Sequence, residues 1–208
     1  MTENKPIVMV VDDDTGVRNA MRVLLKSVGL QSQLHASAQE FLQGYDPSQA
    51  GCLVLDIRMP GMSGLELQQE LNVRGATIPV IFMTGHGDIP MAVEAMQHGA
   101  FDFLQKPFRD QELLDRIQKA IVRDGKLRQS LSEHSRIRAS LETLTDRERE
   151  VLDLMILGKQ NKAVAQELSV SPRTIEIHRA RVMEKMDVQS VAELVRMMLD
   201  LKQGSNAR

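Results

Sequence analysis

Roughly the first 120 residues alternate between short apolar runs and longer segments of helical period, and this alternation restricts the fold more than any other feature of the chain. Ile7 to Val11, Cys52 to Leu55 and Val80 to Met83 are unbroken apolar runs, as expected of strands covered on both faces; Gln31 to His35 and Phe101 to Leu104 read as weaker strands. Between them, Thr15 to Val28 places Val17, Met21, Leu24, Leu25 and Val28 on one helical face, with Gly29 as its stop. Similar patterns predict helices over Ala38 to Gln43, Leu65 to Val73, Ile89 to Gln97 and Gln111 to Val122. Strands and helices in strict alternation predict an α/β domain with a doubly wound, five-stranded parallel sheet.

In such a sheet, sites form beyond the carboxyl ends of the strands. Asp12 and Asp13 follow the first strand, Asp56 the third and Thr84 the fourth, and Lys106 follows the fifth, so all five are expected at one rim. An acid after a strand is often only a helix cap, and a lysine before proline is often only surface. The joint occurrence is what points to a site. Gathered carboxylates repel, and they are relieved by proton uptake or by a hard cation such as Mg2+, while a lysine supplies a point charge for phosphate. No G-x-G-x-x-G or G-x-x-x-x-G-K-[ST] phosphate cradle occurs, which argues against a nucleotide site.

Charge divides the chain. Residues 1–124 carry 11 Lys and Arg against 16 Asp and Glu, a balance of −5; residues 125–208 carry 15 against 12, a balance of +3. From Arg123 to Thr143 polar residues dominate, with Leu127, Leu131, Ile137 and Leu141 thinly spread. Without Pro, and with only Gly125, this connector can be helical. Beyond it lie four helical segments and no strand. Thr145 and Glu148 have capping-box spacing, and Ser171-Pro172 is a strong start signal. Residues 158–186 hold six Lys and Arg against three acids. Ala165 to Leu168, a Ser-Val-Ser-Pro turn and the segment from Arg173 to Met186 have helix-turn-helix order, with Ile175, Val182 and Met186 inward and Arg179, Arg181 and Lys185 available. A solvated amphipathic helix fits the same pattern. The expected organisation is a domain over 1–122, a linker, helical in its reading, over 123–141, and a small all-α four-helix helix-turn-helix domain over 142–208.

Val10-Val11-Asp12-Asp13-Asp14, Leu55-Asp56-Ile57-Arg58-Met59-Pro60-Gly61-Met62-Ser63-Gly64, Met83-Thr84-Gly85-His86-Gly87-Asp88 and Phe103-Leu104-Gln105-Lys106-Pro107-Phe108 resemble a two-component receiver domain, of flavodoxin-like fold. Leu144-Thr145-Asp146-Arg147-Glu148-Arg149-Glu150-Val151-Leu152, Gly158-Lys159-Gln160-Asn161-Lys162 and Ser171-Pro172-Arg173-Thr174-Ile175-Glu176-Ile177-His178-Arg179 resemble the LuxR-type DNA-binding domain. Together they are similar to FixJ-type response regulators, StyR-like regulators included. The resemblance implies that Asp56 accepts a phosphoryl group from a sensor histidine kinase and that Asp12, Asp13, Asp56 and the backbone carbonyl of Arg58 hold Mg2+. It further implies that Lys106 contacts the phosphoryl oxygens, and that Thr84 and Phe103 move together as the switch. Ile89 to Gln97, the next strand and the helix after Lys106 form the expected switch face. In the second domain it implies that Glu176, Ile177, Ala180 and Arg181 face base edges, with Lys162, Arg173, Thr174 and Lys185 nearer phosphates. Ala180 departs from relatives with a basic residue there, so a relative's target sequence does not transfer. His86 receives no role.

The implied protein is a phosphorylation-dependent transcriptional regulator, an activator, binding double-stranded promoter DNA as a homodimer, with RNA polymerase as a further partner. It is not an enzyme beyond stoichiometric self-phosphorylation and slow autodephosphorylation. A Mg2+-dependent phosphohydrolase uses the same residue types, but Arg58 leaves no second acid after Asp56 to activate water. A receiver working only through protein contacts is the other alternative. With five Phe, one Tyr and no Trp, the chain is poorly supplied for stacking on single strands. Its N-terminus shows no secretory cleavage pattern and no run approaches the ~20 apolar residues of a membrane span, so it reads as cytoplasmic. The single cysteine, Cys52, sits in an apolar run as a bland buried thiol.

Overall fold

The computed structural model describes residues 5–85 and 89–206 and divides into two compact units, Met1–Arg128 and Gln129–Arg208. In the first, β1 (Ile7–Val11), β2 (Gln31–His35), β3 (Gly51–Asp56), β4 (Val80–Thr84) and β5 (Asp102–Gln105) form a parallel sheet in the order β2-β1-β3-β4-β5. Register pairs Val10 with Val54, Leu55 with Phe82 and Met83 with Leu104. The unbroken apolar runs are the interior strands: every residue of β3 and β4 is buried, whereas the edge strand β2 is not fully buried anywhere.

Alternating side chains go to opposite faces of the sheet. Met9, Val11, Leu53, Leu55 and Phe82 pack with Phe41 of α2 (Ala38–Gly44), Leu67 and Leu71 of α3 (Gly64–Val73) and Ala95 of α4 (Ile89–Gln97). Val8, Val10, Val54, Ile81 and Met83 pack instead with Met21 and Leu25 of α1 (Thr15–Ser27) and Leu113 and Ile117 of α5. The five-stranded doubly wound fold expected from the sequence is therefore present. Residues 86–88, with His86, lie outside the described residues.

Helix α5 runs through Asp110–Glu142, 33 residues, so the helix expected to end near Val122 and the connector read as helical over 123–141 form one continuous element. Gly125 costs about 1 kcal/mol relative to alanine and does not stop it. The second unit contains α6 (Asp146–Ile156), α7 (Asn161–Glu167), α8 (Pro172–Lys185) and α9 (Val191–Asn206). Thr145 and Glu148 make the reciprocal capping box, and Ser171 caps α8 with Pro172 in its first turn. Val151, Leu152, Val164, Ile175, Val182 and Leu194 form its core, joined by Ile137 from the last turns of α5.

Candidate functional site

At the carboxyl rim of the sheet the chain leaves β1 at Asp12, β3 at Asp56 and β4 at Thr84, all buried. Asp14 caps α1 by accepting from the N–H groups of Gly16 and Val17, and the N–H of Asp14 donates to Asp12 Oδ1 at 2.9 Å. Asp56 Oδ2 accepts from the Arg58 N–H at 2.9 Å. Gly64 opens α3 against this loop: its N–H donates to the Ile57 carbonyl, and a Cβ there would lie 2.3 Å from the Asp56 carbonyl oxygen. The backbone N–H of Lys106 donates to the Thr84 carbonyl at 2.7 Å, which carries the lysine to the same rim.

The Lys106 ammonium stands between the two carboxylates, 3.0 Å from Asp12 Oδ2 and 2.7 Å from Asp56 Oδ1. Burial raises the Asp56 carboxyl above its ordinary value against the pull of Lys106; the Asp12 charge adds to the rise. For Lys106, burial acts downward, but the hydrogen bonds and charges of Asp56 and Asp12 outweigh it and the net direction is up. Two carboxylates and one ammonium leave one negative charge in a half-dry site.

The structure thus brings together Asp12, Asp56 and Lys106, with Thr84 buried beside them. Asp13 is exposed, and among the described residues no three His, Cys, Asp or Glu side chains lie close enough to hold a metal ion as they stand. In donor chemistry the site fits a hard cation: the acceptor side chains it gathers are carboxylates, and its residual charge is negative. Phe103 on β5 is 40 % exposed.

In the second unit α7, a turn through Ser169 at φ 54° and α8 have helix-turn-helix order. Ile175 and Val182 anchor α8 in the core, and Arg173, Glu176, Ile177, Ala180 and Arg181 are exposed, at the spacing of one helical face. Ile177 is 49 % exposed, an apolar side chain among polar ones. Lys162 on α7 is also exposed, and Thr174 is half-buried, its hydroxyl paired with the capping Ser171. Arg179 is half-buried, with Nη1 buried and unpartnered, so it is less available than its sequence position suggested.

Lys185 is placed differently from the other candidates. Its ammonium donates to Glu148 Oε2 at 2.6 Å and to the Thr143 carbonyl at 2.9 Å. Glu148, 2 % exposed, is held at a pKa of about 2 by that hydrogen bond first and by the Thr145 N–H second. In the sequence Glu148 shows only capping-box spacing to Thr145, and nothing local signals a partner 37 residues away.

A receiver-type acidic pocket and a helix-turn-helix in one chain define a signal-responsive DNA-binding regulator. Residues 8–118 match the response regulator receiver domain family, and residues 142–198 match the bacterial regulatory proteins of the luxR family. Nodulation protein W of Bradyrhizobium diazoefficiens is 49 % identical, over 93 % of this chain and 85 % of that protein. The transcriptional regulatory protein FixJ of Azorhizobium caulinodans is 47 % identical, over 96 % and 94 %. The solved structure of the response regulator StyR is similar with a TM-score of 0.87 and 45 % identity, over 93 % of this chain and 98 % of that one. The chain belongs to the FixJ-type response regulators of two-component systems, which are transcription regulators and not enzymes. Among the described residues no helix is long and apolar enough to cross a membrane.

Proposed function

We propose that this regulator is switched by phosphorylation of Asp56. The observation that carries the reading is the Asp12–Lys106–Asp56 cluster: a carboxylate at a strand end, partly open, with an ammonium 2.7 Å from its oxygen and net negative charge around it. Asp56 Oδ attacks the phosphorus of a phosphohistidine on a sensor kinase; the new O–P bond forms as the P–N bond breaks, and the departing imidazole keeps the electron pair and takes a proton. Lys106 offsets charge on the transferring oxygens. Mg2+, held by Asp12, Asp13, Asp56 and the Arg58 carbonyl, supplies further charge neutralisation when bound. The family match and the all-oxygen donor set support that assignment.

The phosphoryl group adds negative charge and acceptors beside Thr84, whose hydroxyl can donate to it, and Phe103 is the exposed partner that moves with it. In the second unit, Arg181 reads guanine, Glu176 accepts from cytosine, and Ile177 meets a thymine methyl beside Ala180, while Arg173, Thr174 and Lys162 position the helix on phosphates. The exposed face of α8 supports this division; Lys185, expected nearer phosphates, is assigned instead to holding Glu148, on the support of its ion pair with that carboxylate. A single helix-turn-helix buries little surface on DNA, so the chain acts as a homodimer on paired half-sites, as a cytoplasmic activator recruiting RNA polymerase. Footprinting with and without acetyl phosphate tests the whole reading: protection that appears or tightens with the phosphodonor in the parent and not in Asp56→Asn is expected, and identical footprints in all four conditions refute it.

A further inference from the structure

Asp124 is 1 % exposed although it lies on α5 beyond the residues matched by the receiver family. Its Oδ2 accepts from two donors, the Gly51 N–H at 2.9 Å and Arg128 Nε at 2.8 Å. Arg128, one turn further on, spends the rest of its guanidinium on three successive backbone carbonyls of the loop between α2 and β3: Pro47 at 2.9 Å, Ser48 at 3.1 Å and Gln49 at 2.8 Å. Gln49 in turn donates to the Lys5 carbonyl. Gly51 admits no side chain, since a Cβ would lie 1.8 Å from the Ile7 carbonyl oxygen, so β1, β3 and this loop form a close backbone seat.

A guanidinium cannot be deprotonated in a protein, and its planar fork fixes direction as well as distance. With Asp124 and Arg128 four residues apart on one face, the grip determines the rotational phase of α5 as it leaves the sheet. That same helix continues to Glu142 and contributes Ile137 to the core of the DNA-binding unit. A solvated connector needs no buried carboxylate and no four-point guanidinium contact. We infer that Asp124 and Arg128 are positioning residues for signal output: they clasp α5 to the α2–β3 loop so that a change in the receiver turns or shifts the helix rather than being lost by slippage at its exit. The inference rests on the phosphorylation reading above and assigns its transmission to these two residues.

The test is the ratio of dissociation constants, unphosphorylated over acetyl phosphate-treated, measured on the full chain with a duplex selected from a random library by the treated parent. Allosteric ratios of roughly 5- to 150-fold are typical. In Arg128→Ala, and in Arg128→Lys, which keeps a cation for Asp124 but cannot hold three carbonyls, the ratio is expected to collapse to within about twofold of one, with labelling of Asp56 unchanged; a role in stability alone would not move that ratio. Should Arg128→Ala fail to fold, Arg128→Lys decides. A parental ratio above one that survives in the folded variants overturns this inference alone. A parental ratio of one overturns the phosphorylation reading and this inference with it.

Discussion

Replacing Lys185 by methionine separates two roles that helix spacing alone cannot distinguish. Methionine keeps much of the side-chain stem and removes the ammonium, leaving the buried Glu148 carboxylate to the Thr145 N–H. The carboxyl falls from 4.5 to about 2, which at ~1.4 kcal/mol per pKa unit corresponds to about 3–4 kcal/mol as a ceiling for all its native partners. The Lys185 side chain is 33 % exposed, so solvent screening reduces its share to about 1–2 kcal/mol. Because the folded value is depressed, this stabilisation is complete above about pH 4.5 and is lost as pH falls through about 2. In the full chain, amide exchange of α6 and α8 peptides in urea at pH 7 should show the Lys185→Met midpoint lowered by roughly 1 M. Much of that loss should return in the double variant Glu148→Gln/Lys185→Met, where no charge is left uncompensated. Unchanged protection, together with weaker binding to every duplex and a salt slope reduced by about one, would refute the argument and make Lys185 a phosphate contact.

Asp56→Asn should take no label from acetyl phosphate yet unfold in urea at a midpoint no lower than the parent's, because burial already disfavours the ionised carboxylate. Gly64→Ala pushes a methyl against the Asp56 carbonyl, and initial labelling rates should fall by roughly tenfold as the acceptor moves from its in-line position. Lys106→Ala removes the counter-charge shared by Asp12 and Asp56, so Mg2+ should bind more tightly by calorimetry while phosphoryl transfer slows. Arg181→Ala should relax preference at one base position, by about 1–3 kcal/mol in a selection experiment, with nonspecific affinity nearly kept; equal losses on all sequences would contradict the base-reading role.

What the sequence disclosed and what it hid follow from the range of the interactions involved. β3 and β4 are buried on both faces, so their residues are apolar in succession and visible without a partner. The caps at Ser63, Thr145 and Ser171 involve neighbours three residues away, and the Thr145 and Ser171 starts are equally visible in the text. The exit of α5 is different. Asp124 and Arg128 look like any solvated i,i+4 pair, and only the approach of residues 47–51, more than 70 positions earlier, turns them into a buried clasp.

Lys185 shows the same limit from the side of function. It follows Arg181 by four residues, so helical periodicity places both on adjoining parts of one surface and assigns both to DNA. A lysine stem, however, can carry its charge several ångströms from the face on which its Cα sits. Its ammonium therefore goes to whichever oxygen is nearest in three dimensions, here the carboxylate that caps α6 and the carbonyl of Thr143 just beyond α5. The shorter Thr174 and the β-branched Ile177 have no such reach, and the structure leaves Ile177 on the exposed face its spacing indicates. Assignments of recognition residues by helical spacing are thus firmest for short or stiff side chains, and for a long basic one the test is whether a buried acid lies within its reach.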